Sequence, residues 1–265
     1  MIKPVRSYLF LSDVHLGAFS KVKNLELEQQ IIRLISFCEE HDLNIILLGD
    51  FFDYWMEYPG YIPDIGKQVM KRFYEHHRLT DSHTLYLTGN HDNWTTGYLE
   101  RLGFDVEHEY RIIDNGEVTF MVLHGDGLND PDMNLPRPAT HRLLRKPYFT
   151  SMYQRLLPPR AGLACMKWFS GCKRIIEKKS SAQNQRKMLD SWAKHKVIDD
   201  DTIQAIVYGH HHSPFLWSQQ GNVCMNCGYF GRDKTAGLYT NREFSIVTWN
   251  SDTYSLQSDS GNINE

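Results

Sequence analysis

Seven side chains that could bind metal ions stand where short apolar segments of this chain end. One such segment, residues 206–208, is predicted to be a strand and runs into Gly209 and three consecutive histidines. Four further apolar runs end in the same way. Together the five runs present Asp13, His15, Asp50, Asn90, His124, His210 and His212. Since α/β sheets hold ligands at the carboxyl ends of their strands, this recurrence predicts one shared site.

The donor types limit which metal ions such a site would hold. Oxygen and imidazole donors without thiolates favour Mn²⁺, iron or Zn²⁺ over softer ions. Seven ligands suffice for two ions when one carboxylate is shared, and Asp50 is the expected bridge because it ends a central strand. One ion would take Asp13, His15, Asp50 and His212, and the other Asp50, Asn90, His124 and His210. Two ions about 3.5–4 Å apart can activate water and bind two phosphate oxygens, which predicts phosphoester hydrolysis.

His91, beside Asn90, is predicted to lie at the mouth of this site and to act in catalysis. As an imidazolium it could stabilise the transition state or protonate the leaving oxygen. Asp92 is expected to cap a short helix that starts near residue 94, although it could instead orient His91. Asp53 and Asp126 are expected to orient neighbouring groups rather than to bind metal.

The remaining histidines are expected to lie outside the ligand set. In an extended segment alternate side chains point the same way, so His211 would face away from the site that His210 and His212 share, or would support the ligands from behind them. Six others are expected on the surface, namely His76, His77, His83, His108, His141 and His195.

Alternating strand and helix patterns in the first half of the chain indicate an α/β fold with a largely parallel sheet. The predicted helices lie at residues 25–41, 66–78 and 94–102. The predicted strands lie near residues 7–12, 44–48, 84–88, 105–108, 111–113, 118–123, 205–208, 214–218, 223–226, 243–249 and 253–256. Those after residue 205 are expected to be antiparallel. We therefore expect two sheets face to face with helices outside.

Residues 127–196 change in both pattern and charge. Helical spacing replaces the strand pattern, and the segment carries a balance of +11 within a chain whose net charge is −3. It is also apolar in patches, which leaves three interpretations open. It could be a lid packed on the core, a surface for an anionic amphiphile or an acidic membrane face, or a surface that stacks nucleic-acid bases. Nucleic acid is the least favoured partner because no recognition motif is visible.

Composition and termini predict a cytoplasmic globular protein. A chain of 265 residues with 41% hydrophobic content suits one large domain, or one domain with an insertion. No apolar run approaches the ~20 residues of a membrane span, and residues 1–6 lack the apolar core of a signal peptide. The odd number of cysteines argues against a disulfide framework, so Cys224 and Cys227 are expected to be reduced, partly buried thiols.

The ligand blocks, in this order, resemble the calcineurin-like metallophosphoesterase superfamily. They stand in this chain as Asp13-Val-His15, Gly49-Asp50, Gly89-Asn-His-Asp92, His124-Gly125 and Gly209-His-His-His212. The resemblance implies a four-layer α/β/β/α sandwich and a dinuclear site that uses the ligands assigned above. The core is expected to comprise residues 1–126 and 197–257, with a helical lid at 127–196 and a disordered tail at 258–265.

The chain is further similar to the UDP-2,3-diacylglucosamine pyrophosphatases of lipid A biosynthesis. Gly49-Asp-Phe-Phe-Asp-Tyr-Trp55 resembles their Gly-Asp-Leu-Phe-Glu/Asp-x-Trp motif, and residues 141–148 resemble the start of their basic helical insertion. This resemblance implies Mn²⁺-dependent hydrolysis to UMP and the acylated sugar 1-phosphate, with the enzyme peripheral on the inner membrane face. The lid would hold acyl chains and phosphates, the latter through Arg142, Arg145 and Lys146.

Two departures from that subfamily leave other hypotheses open. The subfamily has Arg where His91 stands, and Gly-His-Thr-His-Arg-Pro where this chain reads Gly209-His-His-His-Ser-Pro214. A second hypothesis is therefore a metallophosphoesterase acting on soluble phosphodiesters, nucleotides or phosphoproteins. A third, a non-catalytic scaffold on the same fold, is disfavoured by the intact ligand set.

Overall fold

The computed structural model describes residues 6–80, 82–176 and 179–258 of the chain. Within these ranges the strands are β1 (Ser7–Leu11), β2 (Leu43–Leu48), β3 (Leu85–Leu87), β4 (Asp105–Glu107), β5 (Tyr110–Asp114), β6 (Thr119–Leu123), β7 (Ala205–Tyr208), β8 (Phe215–Gln219), β9 (Asn222–Asn226), β10 (Thr235–Thr240), β11 (Glu243–Asn250) and β12 (Ser255–Ser258). The helices are α1 (Lys21–Glu40), α2 (Lys67–Thr80), α3 (Tyr98–Arg101), α4 (Ala139–Leu144), α5 (Pro147–Leu156), α6 (Pro159–Ile176), α7 (Lys179–Asp199) and α8 (Phe230–Asp233), with a 3₁₀ turn at Pro131–Met133. The predicted tail lies outside the described residues except for Ser258.

The strands form two sheets whose inner faces pack on each other. The first has the order β12-β11-β10-β1-β2-β3-β4 and the second the order β5-β6-β7-β9-β8. β1 to β4 run parallel, as the alternating strand and helix pattern predicts. Phe10 and Leu48 of the first sheet share one buried cluster with Phe120 and Val207 of the second. This cluster is the central core of the sandwich.

Helices cover both outer faces, which completes the predicted α/β/β/α layering. α1 begins after Ser20, whose hydroxyl accepts a hydrogen bond from the Lys23 amide at 3.4 Å. Its apolar stripe packs with α2 on the first sheet through residues such as Leu27 and Phe73. α7 covers the second sheet, where Leu189 belongs to the same buried cluster as strand residues of β6 and β7. α7 thus runs across the predicted lid boundary at residue 196.

Strand direction in the second half differs from the prediction. β7 is parallel to both β6 and β9, whereas β8 with β9 and β10 through β12 are antiparallel. Parallel neighbours need a long connection between them, and the helical segment that ends in α7 provides it between β6 and β7. β10 was not predicted, because its Ala236 and Gly237 weaken the strand signal.

Two further predictions about the outer layer are wrong. The helix expected at residues 94–102 is only the single turn of α3. His76 and His77 are buried rather than on the surface. His76 Nδ1 lies 2.8 Å from a Glu39 carboxylate oxygen, and His77 Nδ1 lies 2.7 Å from the Leu102 carbonyl oxygen. Both imidazoles meet polar partners inside the layer, which removes the cost of burying them.

Helices α4, α5 and α6 lie over the loop that follows β2. Leu144 and Phe149 pack with the buried side chains of Tyr58 and Trp94. The Trp94 indole donates a hydrogen bond to the Leu144 carbonyl oxygen at 2.8 Å, and Gln154 donates one to the Glu57 carbonyl oxygen at 2.7 Å. Among the described residues, no helix has the length and apolar composition needed to cross a membrane.

Candidate metal centre

All seven predicted ligands lie at one edge of the sandwich, just beyond strand ends. The first sheet contributes Asp13 and His15 after β1, Asp50 after β2 and Asn90 after β3, and the second contributes His124 after β6 and His210 and His212 after β7. Positive φ angles occur at five of them, namely Asp13, His15, Asp50, His210 and His212. This conformation is costly for residues other than glycine and is concentrated at functional sites.

Asp13, His15 and His212 form the first group of converging donor atoms. Asp13 Oδ2 accepts hydrogen bonds from the Ser12 hydroxyl at 2.5 Å and the His210 amide at 2.8 Å. Its Oδ1 is buried without a hydrogen-bond donor and lies 3.2 Å from His212 Nε2. The Nε2 atoms of His15 and His212 are 3.0 Å apart. A buried orphaned carboxylate oxygen facing two imidazole nitrogens fits a metal ion.

Asp50, His124 and His210 form the second group. His124 donates from Nδ1 to the Leu48 carbonyl oxygen at 2.8 Å, which leaves Nε2 as the metal-binding atom. That Nε2 lies 3.3 Å from the Asn90 carboxamide oxygen. Asn90 therefore joins this group, as the sequence predicts.

Asp50 lies between the two groups. Its Oδ2 is 3.4 Å from His124 Nε2 and 3.8 Å from His15 Nε2, and its Oδ1 accepts a hydrogen bond from the His91 amide at 2.8 Å. The side chain is buried and reaches nitrogen ligands of both groups. This is the geometry expected of a bridging carboxylate.

The electrostatics of the cluster favour positive charge between the carboxylates. Burial alone would raise the pKa of Asp13, but the contacts with His15 and His212 hold it well below its usual range. Burial likewise opposes protonation of His124, yet the Asp50 carboxylate raises its pKa to about 10. His210 has its pKa lowered to about 3 by burial and by the neighbouring His124. A field that favours an imidazolium would also favour a bound cation.

Two glycines allow the ligand loops to approach this closely. A Cβ on Gly89 would lie 2.1 Å from Asp50 Oδ1, and a Cβ on Gly209 would lie 1.6 Å from Ser12 Oγ. Real atoms do not approach so closely, so any larger residue would displace a ligand-bearing loop. The glycines of these blocks are therefore part of the site.

Asp92 is buried and caps no helix, contrary to the prediction. It accepts hydrogen bonds from the amides of Gly89 at 2.7 Å and Phe51 at 2.8 Å, and from the Tyr86 hydroxyl at 2.6 Å. Burial and the nearby Asp50 raise its pKa. Asp92 thus ties the loop after β3 to the loop after β2. Residue type alone does not distinguish this role from a helix cap.

His91 lines the cavity beside the first group. Its Nδ1 donates a hydrogen bond to the Asp53 carbonyl oxygen at 2.5 Å, which leaves Nε2 to donate or accept a second hydrogen bond. His91, Asp53 and His15 form a third group of converging donor atoms. The Tyr54 ring lies 4.8 Å from the His91 ring. Tyr54 was missed by sequence reasoning, although it lies within the Gly49–Trp55 block.

His211 lines the same cavity as its neighbours, which rejects the outward-facing alternative and leaves a supporting role beside the ligands open. The positive φ angles at His210 and His212 bend the backbone, so the alternation of an extended strand does not apply. Tyr229 was also missed, and its ring lies 4.2 Å from that of His212. It follows β9 in a loop whose sequence carries no signal for the site.

The three basic residues predicted to bind substrate occupy different environments. Arg142 and Lys146 are exposed on the lid. The Arg145 side chain is only 8% exposed, and its guanidinium donates to oxygens of Thr88, Gly89 and Asp126. Burial would raise the pKa of Asp126, but Arg145 and Arg137 lower it, so the carboxylate stays ionised.

A cavity of about 500 Å³ joins the ligand cluster to the underside of the lid. The polar part of its lining includes predicted ligands, His91 and Asp126. Leu144, Met166 and Met188 belong to the apolar part of its lining. A ligand that fills the cavity would meet both metal-binding groups and apolar side chains.

Curated relatives share one name. A protein from Porphyromonas gingivalis named UDP-2,3-diacylglucosamine hydrolase is 27% identical over 152 residues, a match that covers 56% of each chain. A protein of the same name from Pseudomonas putida is 25% identical over 222 residues, covering 78% of this chain and 82% of its own. This chain thus spans little more than half the length of the first relative and most of the second.

The chain is also similar to solved structures and to one protein family. A structure described as a novel archaeal phosphodiesterase is 11% identical, covers 92% of this chain and 99% of its own, and has a TM-score of 0.48. A predicted phosphoesterase from Streptococcus pneumoniae is 12% identical, covers 97% and 94%, and has a TM-score of 0.45. Residues 7–214 match the calcineurin-like phosphoesterase family. This chain is therefore a member of that family, a metallophosphoesterase whose chemistry depends on divalent metal ions.

Proposed function

We propose that this protein hydrolyses the pyrophosphate of UDP-2,3-diacylglucosamine to UMP and 2,3-diacylglucosamine 1-phosphate, a step of lipid A biosynthesis. The observation that carries the proposal is a single cavity that is lined both by the ligand cluster and by apolar side chains of the lid. This substrate likewise combines two kinds of group, a charged pyrophosphate and apolar acyl chains. The shared name of the curated relatives supports the same substrate.

We infer that two divalent ions, Mn²⁺ in this proposal, bind the two groups of ligands. Asp13, His15, Asp50 and His212 would hold one, and Asp50, Asn90, His124 and His210 the other. When bound, two such ions supply Lewis acidity and an activated water for attack on phosphorus. The carboxylates of Asp13 and Asp50 are held ionised, and a bound ion would replace the proton that Asp50 favours on His124.

His91 is the residue that we assign to proton transfer. The Asp53 carbonyl oxygen holds its Nδ1 at 2.5 Å, so the ring is oriented and Nε2 is the atom that would meet the substrate. In its protonated form His91 would donate a proton to the leaving oxygen or stabilise the charge that develops on the phosphate.

The lid supplies two kinds of contact in this proposal. Arg142 and Lys146 are exposed cations that would attract the phosphates of the substrate. The exposed apolar side chains of the lid include Tyr148, Met152, Leu156 and Trp168. Beside basic residues, such side chains favour contact with an anionic lipid surface. We therefore place the protein in the cytoplasm, peripheral on the inner membrane face.

A second candidate function follows from His91 itself. The glycolipid enzymes that the chain resembles have Arg at this position, so the histidine favours a relative that cleaves soluble phosphodiesters or nucleotides. The metal chemistry is the same in both cases. The two candidate functions differ in whether the apolar lining of the cavity binds acyl chains.

One experiment separates the two. Hydrolysis of UDP-2,3-diacylglucosamine and of an aryl phosphodiester would be measured with Mn²⁺, products being identified by mass and Asp50→Ala serving as the control. We expect UMP release from the lipid, abolished in the control, with Arg142→Gln and Lys146→Gln raising KM for the lipid. Turnover of the aryl diester alone would reject the lipid substrate and retain the second candidate.

A further inference from the structure

Arg145 lies in the lid, at the junction of α4 and α5, but its guanidinium points into the core. Its Nη1 donates to the Thr88 hydroxyl at 3.1 Å, and its Nη2 donates to the Gly89 carbonyl oxygen at 2.9 Å. Gly89 directly precedes the predicted ligand Asn90. One side of the guanidinium thus holds the loop that follows β3, in the first sheet.

The other side of the guanidinium holds a loop of the second sheet. Nη2 of Arg145 also donates to Asp126 Oδ2 at 3.1 Å. Asp126 is 2% exposed, follows β6 and lies two residues beyond the predicted ligand His124. One buried arginine of the lid therefore joins the two loops that carry Asn90 and His124.

These two ligands come from different sheets, so side-chain contacts rather than strand pairing set their separation. The Asn90 carboxamide oxygen and His124 Nε2 are 3.3 Å apart, within reach of one ion. A cation that bonds to a backbone carbonyl beside one ligand and a carboxylate beside the other is suited to maintain that distance.

We infer that Arg145 is a positioning residue that sets the spacing of Asn90 and His124 and thereby the affinity for the ion that they share. The inference rests on the proposed dinuclear site, and it replaces the predicted role of Arg145 in substrate binding. Arg145 does not touch the ion. Its effect is confined to the ion held by Asp50, Asn90, His124 and His210, since no contact of its guanidinium reaches the loop after β1 among the described residues.

The test is a calorimetric Mn²⁺ titration of the chelator-stripped full chain, with electron paramagnetic resonance to detect a spin-coupled pair of ions. Wild type is expected to bind two ions. Arg145→Gln is expected to bind one ion normally and the other about 10- to 100-fold more weakly, with loss of the coupled signal. Arg142→Gln removes the same charge three residues away from an exposed position, and is expected to bind both ions as wild type does.

Four results would overturn the inference. Arg145→Gln could bind both ions with wild-type affinity, or lose both equally, which would indicate a general structural role. Asp126→Asn keeps the arginine but removes the charge of its carboxylate partner, and it is expected to lower the affinity for the same ion. If Arg145→Gln fails to fold, Asp126→Asn becomes the test. Wild-type affinity for both ions in Asp126→Asn would then reject the inference. A wild type that binds fewer than two ions would instead reject the dinuclear site, and the inference with it.

Discussion

The ligand-bearing edge of the sandwich and the lid differ in burial and in what holds their side chains. At the edge, Asp13 and Asp50 are at most 2% exposed and each accepts hydrogen bonds from neighbouring loops. On the lid, Leu156 and Trp168 are 72% and 70% exposed. Residues at the edge are held by the core and determine the chemistry, whereas the lid's exposed side chains suit it to selecting a substrate or a surface.

The same difference exists inside the lid. Arg142 and Arg145 are three residues apart and chemically identical, yet Arg142 is exposed and Arg145 bonds to the loops of the metal centre. Membership of the lid is therefore a poorer guide to role than burial. The predictions that follow test whether edge and lid can be disturbed separately.

The largest expected effect comes from adding one methyl group at the edge. Gly209→Ala would place a Cβ 1.6 Å from Ser12 Oγ and 2.7 Å from Asp13 Oδ2. Since misplacement of a reacting group by ~1 Å costs about 100-fold in rate, we expect at least that loss on every phosphoester. The measurement is kcat/KM on an aryl phosphodiester together with the metal content of the purified variant.

The matched control is the same substitution in the lid. Gly162→Ala would place a Cβ 2.0 Å from the hydroxyl of the buried Tyr58, so this close contact falls between the lid and the loop after β2 and not on a predicted ligand. We expect aryl diester turnover and metal content close to wild type. Equal losses of aryl diester turnover and metal content in Gly162→Ala and Gly209→Ala would mean that the edge and the lid cannot be disturbed separately.

A smaller effect, confined to hydrolysis of the lipid, is expected from a change in the apolar lining of the cavity. Met166→Glu would bring a carboxylate against acyl chains, and desolvating it should raise KM for the diacylated substrate roughly tenfold. Aryl diester hydrolysis should be unchanged because the ligands are untouched. Val22→Glu, at an exposed position of α1 outside the cavity lining, controls for added charge. A parallel loss of aryl diester activity would contradict the separation.

The smallest effect concerns stability alone. Burial lowers the pKa of His77 to about 4, so the native state keeps this imidazole neutral while the unfolded chain protonates near its ordinary pKa. The contribution of His77 to the free energy of unfolding is therefore fully present above about pH 6.5 and is lost as the pH falls toward 4. This loss is at most about 3 kcal/mol. Denaturant unfolding between pH 4 and 7 measures it.

His77→Gln should flatten that pH dependence and leave the metal centre intact. His83→Gln, at an exposed position nearby, should retain the acid dependence of wild type. An unchanged slope in His77→Gln would show that another group causes the acid sensitivity. Altered metal binding in this variant would show that the outer layer and the edge are coupled.

Sequence reasoning was most successful where short strands end in polar residues. The seven candidate ligands converge because parallel strands present their carboxyl ends at one edge, a consequence of topology that the β/α alternation already indicates. It was least successful where a residue type fits several roles. Asp92 has the pattern of a helix cap but caps no helix, and His211 has that of an outward-facing strand residue but lines the cavity.

The amino-acid sequence by itself determined the fold class, the four layers and the identity of the candidate ligands, because these follow from local periodicity and from residue types at strand ends. Only the tertiary structure decided which polar groups are buried together. Asp92, His77 and Arg145 bond to Phe51, Leu102 and Asp126, which are distant in the chain or lie in another layer. Such contacts depend on how the sheets and the lid pack, and no local pattern encodes them.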